Sequence, residues 1–583
     1  MSARPRPAAL LRALAPLLAV VTLLTGCVGL PASGPVVTAE EGAGSDDGPA
    51  TSYVPPPPAP GASPAAVVRG FLDAMTATPL SLSVARQFLT RDAQAAWQPE
   101  RSTVLYDGTG DPQGATEVVV PLEGAARLDG RGAWQGAAAA PDELRFPMAT
   151  EGGEWRIADA PDALVVPETW FGQRFRRLNL YFFDPTGSLL VPEPVFVPVG
   201  EQRPTSLVRG LLAGPPPELD GVVRSFLPPG VALEQLSVVV DADGVAAVAL
   251  EGAALEGDAA VRALAQLSWT LRQDPGVRAL RVTLDGEPVQ LPGAPVELPV
   301  DGASGVDPTV AGADDGLYGL RDQRVVPAGA EEGLGPLGSG DYDLRDLAVD
   351  LPGERVASVA ADGSAVFVAP LRTGDGGPGG VVAYAGEDLA RPGWDHAGRL
   401  WLLERGGGDA AVTLLQRGRR REVEVPGVTG ARAEQLLVSR DGSRLVVVLP
   451  RRGGDVVQVH RVRVDDRGRV RGVGPGRPLA TRAGAPLRVA DLAWRSATAL
   501  LVASRLSPQL TELLTLPVDG SPGGLDGSAS GELVRGGVLG LAASPVPAAP
   551  VWLTTLEGVV DRLGAAPTPT TVVPGTTALT YVG

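Results

Sequence analysis

The chain has 583 residues and a formal net charge of −17, from 67 acidic side chains against 50 arginines; no lysine occurs. That length exceeds one hydrophobic core and predicts three or four domains. An acidic chain repels phosphate backbones and anionic lipid, which argues against broad nucleic-acid binding and electrostatic membrane adhesion, and a single cysteine excludes a disulfide framework or a cysteine-based metal site.

Arg4, Arg6 and Arg12 form a basic start, and an apolar stretch follows from Ala13 to about Leu24. It is too short for the roughly 20 helical residues that span a bilayer. It ends in Leu24-Thr25-Gly26-Cys27. An aliphatic residue and two small ones ahead of a cysteine match the bacterial lipobox, so cleavage is expected between Gly26 and Cys27, with Cys27 lipidated. Residues 1–26 then form a signal peptide. Its three arginines leave with it, which takes the net charge to −20 (−17 minus 3). The expected product is anchored to the membrane through lipid, on its extracytoplasmic face, and does not span it.

Residues 27–62 are expected to be a tether, acidic and small over 40–50 and extended over the Pro55-Pro56-Pro57-Pro58 run. Ser63-Pro64 reads as a helix start, with Val67, Val68, Phe71, Leu72 and Met75 at helical spacing. A second helix is expected over 82–97. Strand patterns follow at Glu117–Leu122, Gly124–Leu128, Arg145–Met148 and Trp155–Ala158. Helices ahead of an antiparallel sheet predict a small α+β domain over 63–165, similar to the cystatin-like fold.

Residues 174–300 predict the order β, α, β, β, α, β: Arg177–Phe183, Thr205–Leu212, Leu236–Val240, Val245–Leu250, Ala259–Leu271 and Gly276–Leu284. Asp241-Ala242-Asp243-Gly244 reads as a hairpin turn; it lacks the further acidic ligands of a calcium loop. The segments Leu211-Leu212-Ala213-Gly214-Pro215, Leu227-Pro228-Pro229-Gly230, Ala265-Gln266-Leu267 with Trp269-Thr270-Leu271, Pro275-Gly276-Val277 and Leu284-Asp285-Gly286 resemble the GerMN domain. That resemblance implies an α+β module of envelope proteins that binds partners and has no enzymatic activity.

Residues 310–583 repeat one pattern: an apolar approach, a polar turn and an apolar strand. Turns fall near 363, 398, 442, 497 and 546, and a spacing of about 35–55 residues with short strands predicts a β-propeller of five to seven blades. Thr576–Val582 is placed to close the ring. A β-sandwich is the rival reading. The fold class is therefore multidomain: an α+β N-terminal domain, an α+β GerMN domain and an all-β C-terminal β-propeller.

Little points to catalysis. His396 and His460 are the only histidines, and no zinc spacing or nucleophile elbow occurs. Gly108-x-Gly110 and Gly472-x-Gly474 lack the strand-then-helix context of a dinucleotide site. Paired carboxylates carry no weight among 67 acidic residues. No catalytic residue, metal site or cofactor is expected, and each histidine reads as solvated or packed on a strand. The chain reads as a binding protein.

From the lipobox segment Gly26-Cys27-Val28-Gly29-Leu30-Pro31-Ala32-Ser33-Gly34-Pro35 to the propeller, the order of parts resembles the LpqB lipoprotein family of actinobacteria. The resemblance implies a partner, the extracellular part of the sensor histidine kinase MtrB. It also implies a role in modulating that kinase's two-component signalling with the regulator MtrA, in cell-wall homeostasis and division. An envelope ligand, peptidoglycan or another glycan, is the alternative partner. Among the site residues, only Cys27 carries over by position.

Overall fold

The computed structural model describes residues 52–289, 291, 293, 295–309, 313–372, 379–479, 486–526, 531–555, 560–562 and 575–583. Residues 1–51, which include the expected signal peptide with Gly26 and Cys27, lie outside the described residues.

The first helix, Pro64–Ala74, begins where expected. The Ser63 hydroxyl accepts from the Ala66 N–H at 3.3 Å, Pro64 supplies the first turn, and Val67, Val68, Phe71 and Leu72 are buried. The second expected helix is broken into Ser83–Arg86 and Arg91–Ala96. Between them the chain leaves the helix to bond Ile157: its N–H donates to Phe88 O at 2.9 Å, and Thr90 N–H donates to Ile157 O at 2.9 Å. Thr90 then caps the next helix through its hydroxyl. Helical periodicity in the sequence could not show this detour. Two four-stranded sheets complete the region, and two of their strands, Ser102–Tyr106 and Leu164–Pro167, pair in parallel without having been foreseen. The segment before the first helix is held as well. Tyr53 and Thr78 exchange backbone hydrogen bonds of 3.0 and 2.9 Å, and Gly61 N–H donates to Glu154.

The middle region opens with a hairpin, Phe175–Phe183 against Leu190–Pro198. The second of these strands was missed because Pro192, Pro194 and Pro198 interrupt it. Proline is tolerated there because a two-stranded ribbon leaves one side of each strand free of ladder bonds. Helix Arg203–Leu212 follows, and then the parallel pair Val245–Glu251 and Ala279–Leu284, joined by helix Gly257–Leu271. The expected strand Leu236–Val240 is reduced to Val239–Val240, and the Asp241–Gly244 turn is a hairpin, with Asp241 accepting from the Asp243 and Val245 N–H groups. Gln266 is fully buried on the crossover helix. Its amide donates to Tyr181 O at 3.0 Å and its oxygen accepts from Phe226 N–H at 2.7 Å, so it saturates backbone that the sheet leaves unpaired.

The C-terminal region is a ring of six antiparallel sheets among the described residues. The innermost strands are Thr577–Tyr581, Leu344–Val349, Gly393–Trp394, Gln435–Val438, Val489–Ser496 and Val538–Ala542. We number the blades one to six in that order. Six apolar clusters, one between each neighbouring pair, hold the ring together; the last joins Trp552 and Ala542 of blade six to Leu579 and Tyr581 of blade one. The C-terminal strand pairs with Leu317–Arg321, so the last strand of the chain closes the blade begun by the first. The ring geometry excludes the sandwich. One repeat was misphased: the turn at Gly363 joins the second and third strands of blade two, whereas those at Gly398 and Gly442 join first and second strands. The equivalent turn in blade two is at Gly353, between Leu344–Val349 and Arg355–Ala360.

Candidate functional site at the propeller and its joint

The hairpins between first and second strands share a local device. Asp350 accepts from the Glu354 and Arg355 N–H groups and from Arg355 Nε at 2.8 Å. Asp395 repeats this with Ala397 N–H, Arg399 N–H and Arg399 Nε at 2.6 Å, and takes Trp401 Nε1 at 3.0 Å as well. In each, a carboxylate closes its own turn and neutralises the arginine that leaves it, with glycine in the left-handed region at Gly353 and Gly398. Asp465 and Arg469 form a third copy on the outer side of blade four, and the N–H donors and arginine hold the Asp465 carboxyl down at about 2.

The innermost strands enclose a narrow channel of about 60 Å³. At one end Arg391 reaches across the mouth: Nε donates to Asp346 and Nη2 to Asp491, each at 3.1 Å. Asp491 also accepts from the Leu492 and Leu541 N–H groups at 2.9 and 2.8 Å. The neighbouring Asp491 carboxylate, with Asp346, pushes the guanidinium above its ordinary range despite burial. Blades two, three, five and six are thus tied through one cation beside a polar recess of about 220 Å³. At the other end Arg440 donates to Val582 O at 2.8 Å and Thr309 O at 3.2 Å, and burial pulls its pKa down to about 10.

The middle region is docked onto blade four by a buried ionic joint. Glu193, on the hairpin strand Leu190–Pro198, accepts from Arg461 Nη1 at 2.8 Å and Nη2 at 2.6 Å, and from Arg444 Nη2 at 2.9 Å. Arg444 is wholly enclosed; it also donates to Pro192 O at 2.5 Å, Ser443 Oγ at 3.0 Å and Asp441 at 3.3 Å. Desolvation, then repulsion from Arg461, pulls its pKa down, while Glu193 and Asp441 oppose that shift. The first region is joined in turn. Arg131 donates to Gly214 O at 2.9 Å and Ala213 O at 3.1 Å, and Phe171, Phe175, Phe196 and Leu525 share the apolar core of the first region. Sequence reasoning singled out none of Glu193, Arg444, Arg461 and Arg131, because their partners lie up to hundreds of positions away.

His460 is buried, with Nδ1 3.0 Å from Gly474 O, and burial pulls its pKa down. His396 stands in the first hairpin of blade three, its backbone N–H bonded to Arg440 O at 2.9 Å. Trp394, Trp401 and Trp552 are buried within the blades. Among the described residues no group of three or more His, Cys, Asp or Glu side chains could hold a metal ion, and no helix is long and apolar enough to cross a membrane. Gly26 and Cys27 lie outside the described residues.

Fold and joint together define a multidomain protein in which two α+β regions are fastened to a propeller with six blades among the described residues. Three family models match in the same order: "Lipoprotein LpqB, N-terminal domain" over residues 57–172, "Sporulation and spore germination" over 179–290, and "Lipoprotein LpqB beta-propeller domain" over 320–530. The chain belongs to the LpqB lipoprotein family. It is 31% identical to Lipoprotein LpqB of Thermobifida fusca over 86% of this chain and 88% of that one. It is 30% identical to that of Streptomyces coelicolor, over 86% and 87%. It is also 30% identical to that of Mycolicibacterium smegmatis, over 74% and 77%. Among solved structures, TolB from Acinetobacter baumannii is similar over 46% of this chain and 66% of its own, with 13% identity and a TM-score of 0.32. The propeller assignment rests on the sheet order and the family model.

Proposed function

We propose that the protein is a lipid-anchored, extracytoplasmic accessory of a sensor histidine kinase. In this reading it binds the extracellular domain of an MtrB-like kinase and modulates its two-component signalling in cell-wall homeostasis and division. Cys27 carries the anchor after cleavage at Gly26; of the tether expected over 27–62, residues from Tyr53 to Gly61 are bonded to Thr78 and Glu154 and belong to the docking body, so the tether is shortened to 27 to about 52. Membership of the LpqB family along most of the chain is the observation that carries this reading. The ionic joint adds a physical reason. Regions fastened by buried charge pairs present their surfaces in one arrangement, and a tethered body near a membrane kinase has a high effective concentration. The protein acts here as a binding protein, not an enzyme.

The anchor is tested by fractionating cells that express the chain or its Cys27→Ser variant. The native chain should sediment with membranes and release into detergent; the variant should accumulate uncleaved or in the soluble extracellular fraction. Equal membrane association of both, each with a cleaved N-terminus, would remove the lipid from the account.

A further inference from the structure

Where the middle region meets the propeller, a cavity of about 250 Å³ opens between the Asp184–Ser188 turn and the first and outer hairpins of blades three and four. Both of its lining carboxylates are already saturated. Asp184 accepts from the Thr186, Ser188 and Leu189 N–H groups. Asp441 accepts from the Ser439 and Ser443 hydroxyls and from Arg444. Of the lining cations, Arg399 is neutralised by Asp395. Arg417 and Arg467 have no ion-pair partner among the described residues.

Two further observations mark the place. Arg417 sits at φ +50, in the left-handed region, at the first position of the two-residue turn between Ala411–Gln416 and Arg419–Glu422. Such turns favour Asn, Asp or Gly there. The other two-residue turns with a left-handed first residue among the described residues, at Gly152-Gly153, Asp285-Gly286 and Asp322-Gln323, obey that preference. An arginine held against backbone preference suggests that its side chain is wanted. His396 is one of the residues around the cavity, and its Nδ1 is buried with no hydrogen-bond partner among the described residues.

We propose that this cavity binds a small oxyanion of the phosphate or phosphate-ester type, held by Arg417 and Arg467 with His396 beside them. Guanidinium groups recognise such anions through paired charge-assisted hydrogen bonds. The volume lies just below the roughly 300–1,000 Å³ usual for small-molecule pockets, which suits one anionic group with a short polar remainder. The hydroxyls of Thr186, Ser188 and Ser443 already donate to Asp184 and Asp441, and the Gln416 amide donates to Ala397 O, so the two guanidinium groups are the donors left for an anion. Because the walls come from both the middle region and the propeller, an occupant bridges the two. This inference stands apart from the kinase reading.

The test is calorimetric titration of the full chain in detergent with inorganic phosphate, glycerol 3-phosphate and glycerol. One saturable site is expected for a phosphate probe and none for glycerol; the tighter of the two phosphate probes identifies free anion or ester as the source. The R417A/R467A double variant should weaken binding by about tenfold or more, while R505A, an exposed arginine on blade five, should leave it unchanged. Both altered positions are exposed, so the variants are expected to fold, which thermal melting checks. Absence of saturable binding by either phosphate probe, or binding unchanged in the double variant, overturns the proposal.

Discussion

Replacing Glu193 by alanine should loosen the joint between the middle region and the propeller. The carboxylate takes three charge-assisted hydrogen bonds, two from Arg461 and one from Arg444, at 2.6 to 2.9 Å. Arg444 has no exposed side-chain surface, and Arg461 keeps 23% of its own. Without Glu193, Arg444 retains one carboxylate, Asp441 at 3.3 Å, and faces Arg461 with no anion between them. Removing one partner of a buried ion pair costs about 3–5 kcal/mol, because the charge left behind stays desolvated. That is a large part of the roughly 5–15 kcal/mol that holds a domain folded. E193Q keeps the shape and loses the charge, so it should cost less, about 1–3 kcal/mol. R461A removes a partly hydrated partner and should fall in the same range. Urea unfolding followed by tryptophan fluorescence, with limited proteolysis across residues 198–310, reads the effect. E193A should unfold at lower urea and expose the middle region to protease before the propeller. A midpoint shift below about 0.5 kcal/mol, the scatter of ordinary surface substitutions, would refute the reasoning and mean that the joint is open in solution.

Deleting residues 576–583 removes the innermost strand of blade one. Burial of Leu579, Tyr581 and Val582 is worth about 1.5–3 kcal/mol each, a sum comparable to the stability of a domain, so the truncated ring should be protease-sensitive throughout; native-like resistance would contradict closure by this strand. Gly132 sits at φ +84, and a Cβ there would stand 2.2 Å from Phe196 O, whereas one at Gly152, at φ +62, meets nothing within 4 Å. G152A should therefore cost about 1 kcal/mol of backbone strain and G132A clearly more, measured by urea midpoints; equal costs would argue against the close packing of the first and middle regions. His460 is neutral in the fold because burial lowers its pKa, so the unfolded chain binds the extra proton. Its contribution to stability is present above the ordinary histidine pKa of about 6.5 and is lost as pH falls below it, by up to about 1.4 kcal/mol per pH unit. H460N should flatten that acid-side slope; an unchanged slope would assign it to other groups.

Much of this architecture was legible in local pattern. Ser63-Pro64 announced its helix because capping and proline act within one turn, and the blades showed themselves as apolar triplets after polar turns. Legibility failed where a residue answers to a distant partner. The helix expected over 82–97 breaks because residues 88–90 pair with Ile157. Strand Leu190–Pro198 was hidden by prolines that are harmless in a two-stranded ribbon. The repeat was misphased at Gly363 because Asp362-Gly363 and Asp350–Gly353 make similar turns one strand apart. Glu193 looked like one acid among 67, and its role depends on Arg444 and Arg461, 251 and 268 positions away. Arg417 offered one signal that could have been used, an arginine before glycine in a two-residue turn.

Membrane-side recognition is tested most directly by titrating the purified protein, residues 28–583, against the purified extracellular domain of the cognate sensor kinase, with insoluble peptidoglycan in a parallel sedimentation assay. The account predicts saturable kinase binding that is weakened in E193A, whose docking body is loosened, and no retention by peptidoglycan. Retention by peptidoglycan with no saturable binding to the kinase would contradict it and make this a wall-binding lipoprotein.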